Sequence, residues 1–407
     1  MKKILFLCMN FPPMMTEGAS RAFKFASCLP SFGWEPIVIG LHSISGPEME
    51  QAPFEVYYAG KEYSTGETDA GKLFRIVHGL PEKKRSVRGF NGSSGLSSVE
   101  KNWLKKAKSL ARKVLDENPD IEMIYAQAPS FAPHKLAFEL SGENHLPVMF
   151  DCIRSFAPNR LEKTIMHSGH CVTMPSRELK ELFLRKYQGE IFHDDISIVK
   201  NGYDPEALQL CEAEEEQGGL MRWVFHVDMV DGRNDLKRFF SALSSLVASQ
   251  PAVRGAFSFA FTGPGSRDVR RFAEKYGLDD LIEAGAVWSH RRELELCKRA
   301  DIVCLVLGSA EGHEVSIPER LFDIPGMDAS IAGIVPDGLS KQCILGMGGR
   351  TVQADQPDAI AGFLQDLFIL WRSRQLPKVS GAAADSYHIR SVMQDFIREM
   401  AVRLPVA

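Results

Sequence analysis

The chain of 407 residues has a formal net charge of −4 at pH 7, with 44% hydrophobic and 25% charged residues. This length exceeds one ordinary hydrophobic core, so the sequence predicts two or three domains of a globular protein. The small net charge gives no reason to expect a nucleic-acid partner. The 8 cysteines are scattered without a CxxC pair, which indicates buried thiols in a reducing compartment, not a disulfide or zinc framework.

Neither a membrane helix nor a leader peptide is evident from the sequence. No apolar run approaches the roughly 18 residues that a spanning helix needs. The beginning, MKKILFLCMNFPP, starts with charge, but its apolar run is short and no small-residue cleavage site precedes the prolines. We therefore expect a cytoplasmic protein whose first residues form a strand.

The first half of the chain alternates apolar runs with amphipathic segments. Residues 4–9 form a continuous apolar run, which is typical of a parallel strand covered on both faces. Apolar residues then recur at helical spacing from Ala22 to Leu29, and residues 36–40 form the next apolar run. This order predicts a doubly wound parallel sheet. Further predicted strands of this half are residues 56–58, 123–126, 148–150, 171–174 and 196–199.

A polar segment, CEAEEEQGG at residues 211–219, predicts a linker before a second α/β series. We expect a first domain at residues 1–205 and a second at residues 220–384. Residues 386–407 show apolar positions at helical spacing, so we expect this helix to dock back on the first domain. Predicted strands of the second domain are residues 223–226, 257–262, 282–284, 302–307 and 331–335.

The most basic part of the chain flanks a Gly- and Ser-rich stretch at residues 89–98. It fits either a patch that contacts anionic lipid or a lipid-linked acceptor, or the solvated face of an ordinary helix. In the first case the protein would sit peripherally at the inner face of the membrane. The cations are Lys83, Lys84, Arg85 and Arg88, followed by Lys105, Lys106, Lys108, Arg112 and Lys113.

The stretch from Cys304 to Asp323, CLVLGSAEGHEVSIPERLFD, combines a predicted strand end, a polar loop and a predicted helix start after Pro318. Free backbone N–H groups and a helix dipole at this edge of a sheet favour an anionic ligand. Carboxylates beside them suit sugar hydroxyls. The pattern therefore predicts a site for a sugar joined to a phosphate, and its charged residues are Glu311, Glu314, Glu319, Arg320 and Asp323.

Several motifs in order along nearly the whole chain resemble those of one large enzyme family. They are NFPPMMTEGASRAFKFASCLPSFGWEP, VTMPSRELKELF with ISIVKNGYDPEAL, FAFTGPGSRDVRRFAEKYGLDDLIEAGAV, and CKRADIVCLVLGSAEG with IPERLFD. These are similar to the retaining, nucleotide-sugar-dependent glycosyltransferases of the GT-B fold, group 1 (family 4-like). The resemblance implies an α/β fold in which two Rossmann-like domains, each a doubly wound parallel sheet, face each other across a cleft.

The resemblance also implies an activity. It would be transfer of a sugar from a donor, UDP- or GDP-linked, to a glycan or lipid-linked acceptor, as in polysaccharide or cell-envelope glycan biosynthesis. The family implies retention, no cofactor and no essential metal.

The resemblance assigns residues to three groups. The catalytic candidates are Asp151, Arg154 and Glu311; the donor-binding candidates are Gly18, Arg233, Lys237, Gly263, Gly265, Val287, Glu319, Arg320 and Asp323; the acceptor-side candidates are Arg21 and His134. Each has an ordinary structural alternative: a turn glycine, a solvated cation or a core histidine. The stretch after Gly308 can be aligned with the family motif in two registers. One register uses Glu311 and Glu319 as the site carboxylates, and the preferred one uses Arg320 and Asp323.

Departures from the family pattern leave other functions open. Asp228 and Met229 stand where the family usually has glycine and arginine, and a carboxylate there would repel a diphosphate. A catalytically degenerate protein that binds a sugar nucleotide or glycan is therefore an alternative. A nicotinamide-dependent oxidoreductase is disfavoured, because NFPPMMTEG replaces the G-x-G-x-x-G loop. A nucleotide-sugar 2-epimerase is a further alternative, because it shares the fold.

Overall fold

The chain divides into two compact units, which are described separately. The first comprises Met1–Asn201 with Ile389–Ala407, and the second comprises Gly202–His388. The computed structural model describes residues 1–12, 18–43, 52–62, 96–153, 160–168, 170–209, 211, 219–227, 234–263, 269–284, 290–308, 314, 317–353, 355–379 and 384–403.

The first unit is built on a seven-stranded parallel sheet with the order β3-β2-β1-β4-β5-β6-β7. In β1, Ile4 and Phe6 pack into one core cluster while Leu5 and Leu7 pack into another. The continuous apolar run therefore reflects a strand covered on both faces. The strands are β1 Lys2–Leu7, β2 Trp34–Ser43, β3 Glu55–Glu62, β4 Ile121–Gln127, β5 Val148–Asp151, β6 Cys171–Met174 and β7 Ile196–Ile198.

Helices cover both faces of this sheet. A capping box between Ser97 and Glu100 begins the second helix, whose Trp103 donates a hydrogen bond to the Gly40 carbonyl over 3.0 Å. The last helix packs in the first unit, as predicted, with the Phe396 ring 5.2 Å from that of Phe25. The helices are α1 Ala19–Cys28, α2 Ser98–Glu117, α3 Phe131–Asn144, α4 Arg160–Met166, α5 Arg177–Lys186 and the last, α12 Ile389–Arg403.

The second unit is built on a six-stranded parallel sheet with the order β10-β9-β8-β11-β12-β13. Its core on one face is aromatic, and the Phe225 ring stacks 5.0 Å from that of Phe261. The edge strand Arg350–Val352 was not predicted, because three residues with one clearly apolar side chain give no strand signal. The strands are β8 Met221–Val227, β9 Phe257–Thr262, β10 Ile282–Ala284, β11 Ile302–Val306, β12 Ser330–Ile334 and β13 Arg350–Val352.

The helices of the second unit lie between its strands, which completes the predicted class of two doubly wound parallel sheets. They are α6 Pro205–Gln209, α7 Asn234–Ser249, α8 Val269–Tyr276, α9 His290–Lys298, α10 Leu339–Gly346 and α11 Pro357–Arg372. In the described part of the chain, no helix combines the length and the apolar character that crossing a bilayer requires.

The prediction that a helix starts after Pro318 is wrong. The described residues 317–329 contain only two short 3-10 turns, Glu319–Phe322 and Ile324–Gly326. Pro325 explains the difference, because proline lacks the N–H of a helical hydrogen bond and its ring clashes with the carbonyl four residues earlier. A helix dipole is therefore not available here to bind an anion.

Candidate functional site

The sheet of the second unit has a topological switch point between β8 and β11. These strands are neighbours, while the chain connections from them lead to opposite edges of the sheet. Ligands of open α/β sheets bind in the crevice that this reversal creates at the carboxyl ends of the strands. His226 near the end of β8 and Thr262 at the end of β9 lie at this edge, as does the turn that carries Arg320.

Arg320 is held between two carboxylates at this edge. Its Nη2 lies 2.8 Å from Glu293 Oε2, and its Nη1 lies 3.3 Å from Asp323 Oδ2. The exposed fractions of the three side chains are 19%, 11% and 5% in the order Arg320, Glu293, Asp323. Burial works to lower the pKa of Arg320, but Glu293 and Asp323 raise it above its ordinary value. The guanidinium is therefore a permanent cation.

Glu293 lies in the first turn of α9, and only 8% of the residue is exposed. Burial raises the pKa of its carboxyl, while Arg320 and a hydrogen bond from the Gly263 backbone act in the opposite direction. Burial prevails. The carboxyl therefore takes up a proton more easily than an exposed glutamate does.

His226 is neutral at this site. Its Nδ1 lies 3.2 Å from Thr262 Oγ1. Burial and, to a lesser extent, the charge of Arg320 lower the pKa of His226 to about 3, against the opposing effect of Asp323. The crevice therefore holds a single positive side chain, Arg320, among the described residues that line it.

The space around these side chains is small. A cavity of about 20 Å³ lies among them, lined also by Cys297, Leu305 and Met327. This volume holds about one water molecule and cannot hold a nucleotide. A ligand that reaches Arg320 must therefore displace a neighbouring side chain or bind from the open side of the guanidinium.

Gly263 is required by the backbone around it. Its φ is +85°, and a Cβ there would lie 2.5 Å from the Val227 carbonyl oxygen. The chain thus passes close to the end of β8, which gives this glycine a structural reason. Its donor-binding role stays a prediction, as do those of Lys237, which is exposed on α7, and Glu319, which is half-buried beside Arg320.

In the first unit, the structure brings Arg21 and Asp151 together. Arg21 Nε donates to Asp151 Oδ2 over 2.8 Å and Nη2 to Oδ1 over 2.9 Å, with both side chains at most 1% exposed. Tyr125 and Thr173 also donate to this carboxylate. Burial opposes ionisation, but Arg21 and these hydroxyls hold the pKa of Asp151 below its ordinary value. This geometry gives both residues a structural role, and we carry neither into the proposed chemistry.

His134 and Gly18 also have structural surroundings. The His134 ring is fully buried, with Nε2 3.1 Å from the Ala126 carbonyl oxygen, and burial lowers its pKa to about 4. Gly18 has a φ of +84° at the start of α1, where a Cβ would lie 2.8 Å from Ile153 Cδ1. Their ligand roles stay predictions.

Three cations of α2 are paired within the first unit. Lys108 lies 2.6 Å from Glu139, Arg112 lies 2.8 Å from Glu143, and Lys113 lies 3.6 Å from Glu117. These pairs reduce the charge available to a lipid surface.

Several predicted positions lie outside the described residues. They are Arg154, Arg233, Gly265, Val287 and Glu311, together with Asp228, Met229 and residues 83–88. Glu293, by contrast, was missed from the sequence. It lies in HRRELELCK, where a carboxylate between arginines is typical of a solvated helix face.

No family model matches the sequence, and no curated protein matches it. Solved structures do. A glycosyltransferase from Rickettsia africae matches with a TM-score of 0.67 and 13% identity over 100% of this chain and 99% of the other. HepE from Anabaena, solved with UDP and glucose, matches with a TM-score of 0.63 and 11% identity over 98% and 100%.

A third similar structure is a putative UDP-N-acetylglucosamine 2-epimerase from Listeria monocytogenes, with a TM-score of 0.56 and 11% identity over 98% of each chain. At these identities the likeness shows the fold alone. It confirms the predicted class, two Rossmann-like parallel-sheet domains of the GT-B type.

Proposed function

We propose that this protein is a glycosyltransferase that moves a sugar from a nucleotide-sugar donor to an acceptor. The observation that carries the proposal is Arg320, a largely buried permanent cation at the switch point of the second sheet. The likeness to a fold that includes HepE, solved with UDP and glucose, supports it. In this proposal the second unit binds the donor and the first binds the acceptor.

The finer parts of the proposal rest on the sequence resemblance. They are a UDP- or GDP-linked donor, a glycan or lipid-linked acceptor, retention at the sugar carbon, and no essential metal or cofactor. Peripheral membrane contact through residues 83–88 and 105–113 is the weakest of them, because carboxylates of the first unit already pair with Lys108, Arg112 and Lys113.

Arg320 would act on the leaving group. A guanidinium presents two parallel N–H donors that match phosphate oxygens, and its charge does not vary with pH. Fixed charge that meets the departing nucleoside diphosphate stabilises the transition state, where negative charge develops on the leaving oxygen. Asp323 and Glu319 would orient this cation or bind ribose hydroxyls, and Lys237 would add charge at the start of α7.

A second candidate function is sugar-nucleotide binding without turnover. Two carboxylates contact Arg320, and the cavity beside it holds about one water. Asp228, which follows β8 in the sequence, would add negative charge near a diphosphate. Such a site favours a protein that binds weakly or has lost catalysis.

Thermal-shift measurements against UDP-, GDP-, ADP- and CMP-sugars and NAD(P), followed by turnover assays on any hit, separate these functions. Stabilisation by a sugar nucleotide, with transfer to an acceptor or slow donor hydrolysis that persists in EDTA, supports the transferase. Binding without turnover supports the second candidate. Release of a sugar nucleotide inverted at C2 would instead identify an epimerase. Stabilisation by NAD(P) alone would overturn both proposals.

A further inference from the structure

We propose that Glu293 is an internal competitor of the donor: its carboxylate occupies the place on Arg320 that the pyrophosphate of a nucleotide sugar must take. This inference rests on the proposed function and names the group that limits donor binding at that site. Glu293 belongs to none of the motifs that carry the sequence resemblance to glycosyltransferases.

The contacts of Glu293 are those of a bound anion. The carboxylate lies 2.8 Å from Arg320 Nη2, and the Gly263 backbone donates a hydrogen bond to it. Gly263 immediately follows β9 at the carboxyl edge of the sheet. A guanidinium and a backbone N–H at such an edge are the two kinds of donor that bind phosphate oxygens. A carboxylate and a phosphate would therefore compete for the same donors.

Space and charge support the same conclusion. The cavity of about 20 Å³ cannot hold a phosphate on the Glu293 side of Arg320 while Glu293 is in place. Asp323 also contacts Arg320, so among the described residues two carboxylates already face one guanidinium. A doubly charged pyrophosphate binds there once Glu293 rotates away, and a proton on Glu293 makes this rotation easier because it weakens the ion pair with Arg320.

Besides the charged Arg320 and Asp323, two titratable groups near Glu293 stay neutral near pH 7. On its own helix, burial first and then Glu293 raise the pKa of Cys297 to about 12. On β8, burial lowers the pKa of His226 to about 3. Because burial raises the pKa of Glu293 itself, this carboxyl takes up a proton at a higher pH than an ordinary glutamate does.

The test is the affinity of UDP-glucose and GDP-mannose for the full-length protein and Glu293→Gln, measured by calorimetry between pH 5.5 and 8. The pyrophosphate of these probes keeps its charge over this range. At pH 8 we expect Glu293→Gln to bind about tenfold more tightly or better, because a competing charge is removed. Wild-type affinity should rise towards pH 5.5, and that of Glu293→Gln should stay level.

Glu295→Gln is the matched control, because Glu295 lies on the same helix and pairs with Arg292 over 3.2 Å. Its affinity should equal that of the wild type. Equal or weaker binding by folded Glu293→Gln would overturn the proposal and make Glu293 a residue that positions Arg320. If Glu293→Gln does not fold, a wild-type affinity that is level with pH overturns it.

Inorganic pyrophosphate separates this proposal from the proposed function. If neither sugar nucleotide binds any variant, but Glu293→Gln binds pyrophosphate more tightly than the wild type, Glu293 is a competitor at an anion site and the donor assignment fails. If Glu293→Gln binds pyrophosphate no more tightly than the wild type does, the competitor role fails as well. The double variant Arg320→Ala/Glu293→Gln is a further check. If it also binds pyrophosphate more tightly than the wild type, the competitor role is overturned, because the gained affinity does not depend on Arg320.

Discussion

Arg21 and Asp151 form a two-pronged ion pair inside the first unit, with distances of 2.8 and 2.9 Å. The remaining donors of Arg21 bind the carbonyl oxygens of Val199 and Lys200 and the side chain of Asn201. One guanidinium thus joins α1, the end of β5 and residues 199–201, where the first chain segment of this unit ends. Arg21 was predicted as an acceptor-side residue, and its buried contacts give it a structural role in this unit.

Arg21→Ala is expected to lower the free energy of unfolding by about 3–5 kcal/mol, because it leaves the Asp151 carboxylate buried without its ion-pair partner. Urea unfolding followed by circular dichroism measures the change. Arg112→Ala is the control, since Arg112 makes a similar two-pronged pair with Glu143 on the surface. A loss for Arg21→Ala no greater than that of the control would contradict the structural role.

His134 is expected to make the first unit sensitive to acid. Burial lowers its pKa to about 4, whereas the pKa of a histidine in the unfolded chain is near its ordinary value of 6.5. Between these values the unfolded chain binds more protons, so stability falls as the pH decreases from about 6.5 to 4. His134→Gln should flatten this part of the stability curve, and His167→Gln, at an exposed position, should not. Equal pH slopes for wild type and His134→Gln would refute the prediction.

Arg320→Ala is expected to weaken sugar-nucleotide binding at least about tenfold, the low end for removal of a hydrogen bond to a charged group. Arg320→Lys should give an intermediate affinity, because lysine lacks the two-pronged geometry. Arg254→Ala, which removes an exposed pair with Asp280 in the same unit, is the control. Circular dichroism checks that each variant folds. An unchanged affinity in folded Arg320→Ala would contradict the register that assigns Arg320 to the donor.

Gly263→Ala is expected to destabilise the second unit by about 2–4 kcal/mol. A side chain at positive φ costs about 1–2 kcal/mol, and the contact with the Val227 carbonyl adds to it. Gly277→Ala is a matched control, since Gly277 has a φ of +64° but a Cβ there would meet no atom within 4 Å. Thermal unfolding compares the two. Equal losses would show that the close approach to β8 does not matter.

Much of the fold follows from local sequence pattern. The strand Cys171–Met174 is a short, mostly apolar run between His170 and Pro175, and the predicted bounds match the observed ones. The segment after Pro318 shows the limit, because its apolar spacing resembles a helix while Pro325 prevents one.

The candidate site was harder to predict because its contacts join distant parts of the chain. Glu293 and Arg320 lie on different elements, and a charged helix gives no sign of which carboxylate turns inward. Arg21 similarly meets a partner 130 residues away, so sequence spacing does not reveal that it is buried. Residue types at the edge of the sheet were predictable, but their pairing depended on the tertiary fold.

The packing of the last helix has a consequence for biosynthesis. The α12 side chains Met393, Phe396 and Met400 are fully buried in the first unit, although the whole second unit precedes them in the chain. The second unit is one continuous segment, so all residues of its core are synthesised before α12. The first unit must instead wait with the Phe25 and Tyr125 surface uncovered, so it is the part that is exposed to aggregation and chaperone binding during translation.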